Sequence, residues 1–288
     1  MRSSGTILCL ASAAAFGAMA VFGKLAYEGG ATVGTLLAVR FGLAATLFWA
    51  LLLAAGGAAE IRALPGRDVA IALGLGACGY AAQAGGYFAA LERVDASLLS
   101  LLVYTFPAIV AVAAIALGRE RLDARRLAAL ALAGAGLVLV LTGAGTGALD
   151  PLGSALGLGA AVVYSVYILV SESVAARVRP RVLAALVCTG AAASLTLGSA
   201  LLGELRPGDL TVAGWSWLAC LAVVSTVAAI GLFFAGLARV GPTTASILST
   251  VEPLVTVLLA LIVFGEMLGA VQLLGGALVL GGVLVLTG

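Results

Sequence analysis

The sequence has 288 residues, of which 63% are hydrophobic and only 10% charged, and its formal net charge is +2. A soluble globular protein carries about 25% charged residues, so the composition excludes a soluble fold and predicts an all-α polytopic membrane protein. The chain has no histidine, and its four cysteines lie in separate apolar segments without a C-x-x-C spacing; we therefore predict no metal site and no cofactor.

Ten apolar segments follow one another, each long enough to cross a bilayer, which takes about 20 apolar residues. Segments 1 to 10 are residues 5–27, 32–55, 68–91, 95–117, 124–143, 152–173, 182–203, 212–236, 242–264 and 269–287. The short connections leave no room for a soluble domain. Segment 1 follows Arg2 as a signal peptide would, but nine similar segments come after it, so we expect it to be the first transmembrane helix.

The positions of Lys and Arg in the loops predict the orientation, because cytoplasmic loops are enriched in both. With ten crossings the two termini share a side. The loops of that side contain Arg2, Arg62, Arg67, Arg119, Arg121, Arg125, Arg126, Arg177, Arg179, Arg181 and Arg239. The other side has only Lys24, Arg93 and Arg206. We therefore predict that both termini are cytoplasmic.

Aromatic and polar side chains share single faces of several segments, at helical spacings of three, four and seven residues. A Gln and several Tyr hydroxyls on one face are costly against lipid and are typical of small-molecule sites. The predicted substrate-binding residues are Phe16, Tyr80, Gln83, Tyr87, Tyr104, Tyr164, Tyr167, Ser246 and Ser249. The alternative is ordinary helix packing, in which such groups hydrogen-bond across interfaces.

An internal repeat relates the two halves of the chain. Residues 93–120 match residues 239–266 without gaps at an offset of 146, through Arg, Val, Ser, Pro and Glu pairs. Five segments per half is an odd number, so the second half must insert upside down relative to the first. We predict two inverted five-helix repeats, residues 1–145 and 146–288, with a substrate site between them near the midplane, as in secondary transporters.

Segment 9 contains the acid Glu252 followed by Pro253, and the repeat pairs these residues with Phe106 and Pro107. The two prolines are predicted hinges or kinks. Three roles are possible for Glu252: a proton carrier coupled to transport, a contact for a substrate amine, or a structural hydrogen-bond acceptor. The carboxylate breaks the symmetry of the repeat, which favours a role beyond the shared scaffold.

Three further charged residues lie in or at the ends of segments. Arg40 lies well inside segment 2, where a structural ion pair or snorkelling would satisfy it, and a substrate anion is the third option. Lys24 lies near the end of segment 1 and is expected to snorkel. Glu266 ends segment 9 before a turn, where we expect a cap or a loop contact.

Several motifs carry a family resemblance: R-F-G-L-A-A in segment 2, F-P-A and G-R-E-R-L at segment 4, and E-P-x-x…G-E at segment 9. With ten segments in two repeats, the whole chain resembles the drug/metabolite transporter superfamily and, within it, the EamA family of bacterial exporters. The resemblance implies an inner-membrane carrier that exports amino acids or related metabolites by alternating access. The tyrosine-rich cavity is similar to that of the YddG-like subgroup, associated with aromatic amino-acid export.

The resulting prediction is a secondary transporter, not an enzyme, that exports small metabolites across the bacterial inner membrane, with amino acids as the first candidate. The alternatives are a carrier for sugars, nucleosides, nucleotides or toxic compounds, and, in other classes, a channel or an intramembrane enzyme. No G-x-x-x-x-G-K-[ST] motif for nucleotide phosphates occurs in the sequence. We expect a small-molecule substrate and the lipid bilayer as partners, no nucleic acid, and a functional monomer.

Overall fold

The computed structural model describes residues 2–118, 123–143, 150–175, 177–240, 248–249 and 251–287, and throughout these ranges the regular elements are helices. Six helices are long and apolar enough to cross a membrane: Ser4–Glu28, Val33–Ala54, Gly66–Leu91, Pro151–Ser171, Pro180–Leu201 and Val212–Gly236. Shorter apolar helices are Ala96–Val110, Leu127–Thr142, Val251–Phe264 and Ala270–Val285. The protein is therefore a polytopic, all-helical membrane protein.

The helix boundaries follow the predicted segments to within a few residues wherever the chain is described. The α-helices are Arg2–Gly17, Met19–Glu28, Val33–Ala54, Ala58–Arg62, Gly66–Gly74, Ala81–Leu91, Ala96–Val103, Phe106–Ala116, Ala124–Gly143, Pro151–Ala175, Pro180–Leu201, Val212–Ala222, Ala229–Val240, Val251–Phe264 and Ala270–Thr287. A 3₁₀-turn spans Pro207–Asp209, and π-helical turns span Leu75–Tyr80 and Val223–Ala228. The first residues of segment 9, 242–247, lie outside the described ranges.

Segment 4 is interrupted in its middle. One helix ends at Val103, a turn follows at Tyr104 and Thr105, and the next helix begins at Phe106 with Pro107 in its first turn. A proline has no backbone N–H to donate, and its ring clashes with the carbonyl four residues earlier, which here belongs to Val103. Within the turn, the Thr105 hydroxyl donates a hydrogen bond of 2.7 Å to the Leu102 carbonyl.

The two π-helical turns lie within segments 3 and 8, each inside a long membrane helix. A π-turn adds one residue to a helical turn and commonly occurs at functional sites. In segment 8 the extra residue leaves the Thr226 hydroxyl bonded to the carbonyl of Leu221, five residues earlier, at 3.0 Å. The π-turn of segment 3 ends at Tyr80, and α-helical spacing resumes from there through Tyr87.

The helices of the first half pack mainly on those of the second half. Segment 1 contacts segment 8, segment 2 contacts segment 7, segment 3 contacts segment 6, segment 4 contacts segment 9 and segment 5 contacts segment 10. Direct hydrogen bonds accompany this packing: the Trp49 indole donates to the Thr189 hydroxyl at 2.8 Å, joining segments 2 and 7. The fully buried rings of Phe41 and Phe88 lie in the centre of this core.

Segments 5 and 10 approach each other through glycine. A Cβ added at Gly136 would lie 2.6 Å from the Gly275 carbonyl oxygen and 2.7 Å from the Val279 backbone nitrogen. Two residues earlier, on the other side of the same helix, a Cβ at Gly134 would have nothing within 4 Å.

We expect Gly136→Ala to destabilise the protein by about 1–3 kcal/mol, since the methyl group would force two backbones apart. The matched control Gly134→Ala should be neutral or slightly stabilising, because Ala is the better helix former. Unfolding in detergent micelles measures both. Equal stability of the two variants would show that segments 5 and 10 do not pack this closely.

Candidate functional site

Six aromatic side chains from segments 2, 3, 4 and 6 form a continuous row in the middle of the bundle. In order of contact, this aromatic row is Phe41, Tyr80, Tyr167, Tyr164, Phe106 and Tyr104. The three central tyrosines stack nearly parallel: the Tyr80 and Tyr167 ring centroids are 5.7 Å apart, and those of Tyr167 and Tyr164 are 6.2 Å apart. The row therefore brings together four of the predicted site residues from both halves of the chain.

Phe106 and Phe41 were not among the residues predicted from the sequence. The Phe106 ring lies between two tyrosines, 4.8 Å from Tyr164 and 5.8 Å from Tyr104 between centroids. The repeat offered a signal for Phe106, because it pairs that position with Glu252. Phe41 had no such signal, since only the fold brings it to 5.2 Å from Tyr80.

Several polar groups beside the row have no hydrogen-bond partner among the described residues. In the described part of the chain, the hydroxyls of Tyr87, Tyr164 and Tyr167 and the amide of Gln83 make no side-chain hydrogen bond, although Gln83 is only 9% exposed. These polar atoms are also not fully enclosed by protein. Buried polar groups nearly always have a partner in the protein or in ordered water, so these four groups are available to a polar solute.

Three predicted site residues remain, on segments 1 and 9. Phe16 is half-buried on segment 1 and is not one of the six stacked rings. Ser246 falls outside the described residues. At Ser249 it is the backbone carbonyl that accepts a hydrogen bond of 2.5 Å, from the hydroxyl of Tyr104.

Glu252 lies at the Tyr104 end of the row. Its carboxylate is half-buried and accepts a hydrogen bond of 3.4 Å from the Tyr104 hydroxyl. One turn later, the Thr256 hydroxyl donates to the Gly17 carbonyl at 2.9 Å, which holds segment 9 against segment 1. Pro253 is buried and, having no N–H, cannot donate to the carbonyl four residues earlier. That carbonyl belongs to Ser249 and accepts the Tyr104 hydroxyl.

Arg40 lies at the opposite end of the row. Only 3% of it is exposed, so the side chain does not snorkel. Its Nε donates a hydrogen bond of 3.0 Å to the Thr226 hydroxyl in the π-turn of segment 8. The guanidinium carbon lies 5.0 Å from the ring centroid of Phe41 and 5.3 Å from that of Phe88. Among the described residues, no carboxylate lies within ion-pair distance.

One end of the bundle is held together by Glu266, and we call it the Lys24 end. The Lys24 ammonium lies 2.6 Å from the Glu266 carboxylate and 3.7 Å from that of Asp95. The same carboxylate accepts bonds from the backbone N–H groups of Ala96 and Ser97, at 3.3 and 3.1 Å. Glu266 thus caps segment 4 rather than its own helix, and Lys24 is paired rather than snorkelling.

At the other end, ion pairs join the loop before segment 3 to the loop before segment 7. Glu60 accepts bonds from Arg179 at 2.5 Å and Arg181 at 2.6 Å. The hydrogen bond from Arg181 and the charges of both arginines hold the pKa of Glu60 below its ordinary value. A lowered carboxyl pKa contributes stability at neutral pH that is lost as the pH falls through the folded-state value.

A model of the EamA-like transporter family matches residues 3–142 and, separately, residues 151–288. The chain belongs to the EamA-like transporter family. This EamA-like protein is also 30% identical, over 186 residues, to an "Uncharacterized transporter" of Archaeoglobus fulgidus (strain ATCC 49558 / DSM 4304 / JCM 9628 / NBRC 100126 / VC-16). That match covers 65% of this chain and 65% of the relative.

The fold of the EamA-like protein is similar to that of a solved crystal structure, with a TM-score of 0.70 and 23% sequence identity. The similarity covers 99% of this chain and 97% of the other. It shows that the two chains share a fold. The family model and the relative are both described as transporters, and neither description names a substrate.

We expect a double-mutant cycle on Lys24→Met and Glu266→Gln to give a coupling free energy of about 1–3 kcal/mol, because Glu266 is nearly buried and Lys24 mostly so. Unfolding of the wild type, both single variants and the double variant in detergent gives this value. The comparison pair is Arg93 and Asp150, 3.5 Å apart and much more exposed, whose coupling should be smaller. Equal couplings for the two pairs would contradict a special role for Glu266.

Proposed function

We propose that this EamA-like protein is a secondary transporter that exports small metabolites, amino acids in the first place, across the bacterial inner membrane by alternating access. The observation that carries the proposal is the aromatic row, with unpartnered hydroxyl and amide groups beside it in the middle of the bundle. Aromatic walls with a few placed polar groups are typical of small-molecule sites.

The chemistry of the row favours a solute that is partly apolar and partly polar. The stacked faces of Tyr80, Tyr167 and Tyr164 offer apolar contact to an aromatic or aliphatic side chain. The free amide of Gln83 and the free hydroxyls can bond to amino and carboxyl groups, which every amino acid carries. Aromatic and hydrophobic amino acids combine both features. A carrier for sugars, nucleosides, nucleotides or toxic compounds is the alternative, and the assay below includes these solutes.

Three observations support ten membrane helices arranged as inverted repeats of residues 1–145 and 146–288. The family model matches the chain twice, once in each half. The π-turns Leu75–Tyr80 and Val223–Ala228 occupy corresponding places in segments 3 and 8, and left-handed glycines, Gly118 and Gly265, follow segments 4 and 9. Because each half has five segments, the second would be inverted, with the row at the interface between the repeats.

The Lys24 end supplies the movable part that alternating access requires. The bonds of Glu266 join segments 1, 4 and 9 there. With the termini in the cytoplasm, as the loop arginines predict, this end would face the periplasm. Release of an exported solute to that side would require the bonds of Glu266 to break. A monomer in the lipid bilayer is sufficient for this cycle.

The test of the proposal is counterflow in proteoliposomes that contain the purified protein, with a panel of amino acids, sugars, nucleosides and cationic drugs. We expect exchange of at least one aromatic or hydrophobic amino acid. If only solutes of another class are exchanged, the proposal that amino acids are the substrate is wrong. If no solute of the panel is exchanged, the proposed transport function is wrong. Liposomes without protein give the background.

The aromatic row gives a sharper prediction. We expect Tyr164→Ala and Tyr167→Ala each to raise the KM for an aromatic amino acid about tenfold or more, since each removes buried apolar area as well as a ring contact worth about 0.5–1.5 kcal/mol. Trp215→Ala removes an aromatic ring that is 44% exposed on segment 8 and should leave the KM unchanged. An unchanged KM in both tyrosine variants would place the cargo elsewhere.

Glu252 is proposed to carry the coupled proton, because an ionisable group within a transporter helix is a candidate for this role. Glu252→Gln retains an oxygen that can accept the Tyr104 bond. Counterflow needs no net proton movement, so the variant should retain it, whereas accumulation driven by an imposed pH gradient should be lost. Persistence of gradient-driven accumulation would assign Glu252 a structural role. Loss of both activities would point to a substrate contact or a structural acceptor.

A further inference from the structure

Arg40 is a buried cation for which the described part of the protein supplies no anion. Three acidic side chains elsewhere are paired with other cations: Glu266 with Lys24, Asp68 with Arg177 and Glu60 with Arg179. Glu252 is not within ion-pair distance of Arg40 and instead accepts the Tyr104 hydroxyl. The charge of Arg40 is therefore met by groups that are not acids.

These groups compensate only part of the cost of burying a charge. One neutral hydroxyl, that of Thr226, accepts from Nε, and two aromatic rings face the guanidinium. Cation–π contacts and a single neutral hydrogen bond are weaker than an ion pair at the same depth. The terminal nitrogens, which form the bidentate face of a guanidinium, have the neutral Tyr80 hydroxyl in reach and form no ion pair with a described carboxylate. That face matches a carboxylate.

Arg40, with no anionic partner, lies next to the aromatic row. The Tyr80 hydroxyl lies next to the guanidinium, and the Tyr80 ring begins the stack that continues through Tyr167 and Tyr164. An anion held by Arg40 would therefore have its apolar portion directed along the stacked rings. Since Arg40 is 3% exposed whereas Tyr80 is half-buried, the anion would reach it from the tyrosine side.

We infer that Arg40 binds the carboxylate of the transported solute, while the solute's side chain stacks on Tyr80, Tyr167 and Tyr164. This inference rests on the proposed function and narrows it to monocarboxylates with an aromatic or hydrophobic side chain. Thr226 is a positioning residue in this arrangement. Its hydroxyl is presented to Nε by the π-turn of segment 8, and the bond fixes the direction in which the guanidinium fork points.

The first measurement is inhibition of L-phenylalanine counterflow by two analogues. 3-Phenylpropionate has the carboxylate without the amine, and phenethylamine has the amine without the carboxylate. In the wild type we expect 3-phenylpropionate to inhibit at least tenfold better. In Arg40→Gln the KM for L-phenylalanine should rise about 30-fold or more, as for truncation of one partner of a buried charge pair, and the preference for the carboxylate should vanish.

Three variants separate binding from folding. Arg40→Lys keeps the charge but loses the fork, so it should recover only part of the carboxylate preference. Thr226→Val should weaken the preference without abolishing it. Arg62→Gln, on an exposed arginine of the loop after segment 2, is the control and should match the wild type. An Arg40→Gln variant that transports more slowly but retains the full carboxylate preference would overturn the inference and leave Arg40 with a structural role.

The second measurement does not depend on transport: the shift in unfolding temperature that each analogue causes in detergent. 3-Phenylpropionate should stabilise the wild type and Arg62→Gln but not Arg40→Gln, and phenethylamine should have little effect. If no amino acid is exchanged but this carboxylate-specific shift requires Arg40, the amino-acid function fails and the anion site stands. If amino acids are exchanged but the shift is absent or independent of Arg40, the anion site fails and the transport function stands.

Discussion

The structure depends on one constraint: inside the hydrocarbon core, a polar group must be satisfied by protein or face an open cavity. Many hydroxyls in this bundle meet the constraint by bonding to a backbone carbonyl, either of their own helix or of a neighbouring segment. Ser12 bonds to the Ala229 carbonyl and Ser225 to that of Ala15, which joins segments 1 and 8. Beside the aromatic row, by contrast, the hydroxyls of Tyr164 and Tyr167 and the amide of Gln83 bond to no described residue, and this contrast favours a solute site there over ordinary helix packing.

The same constraint explains how charge is distributed. Nearly all charged groups with identified partners lie at the two ends of the bundle, where water and opposite charges are available. Lys24 and Glu266 form a pair at one end, and Glu60 with its two arginines forms a cluster at the other. Arg40 and Glu252 are the exceptions in the middle, at opposite ends of the aromatic row. A solute that carries both charges would complement such an arrangement.

Much of the fold could be read from the sequence, because a bilayer imposes a length and a polarity on every helix that crosses it. The boundaries of the described helices lie close to the apolar segments for this reason. The break in segment 4 at Tyr104 was harder to predict from the sequence, although Pro107 indicated its approximate position. The π-turns could not be predicted, since an added residue per turn depends on packing between neighbouring helices rather than on composition.

Some features of the candidate site could likewise be predicted from the sequence, and others could not. By itself, the sequence determined which residues were too polar for lipid, among them Tyr80, Gln83 and Tyr164, because the cost of exposing them to hydrocarbon does not depend on the fold. Only the tertiary structure decided what these residues contact. It placed Phe106 between two tyrosines and gave Arg40 two rings and a hydroxyl in place of an acid. Such contacts join residues far apart in the chain, so no local pattern could specify them.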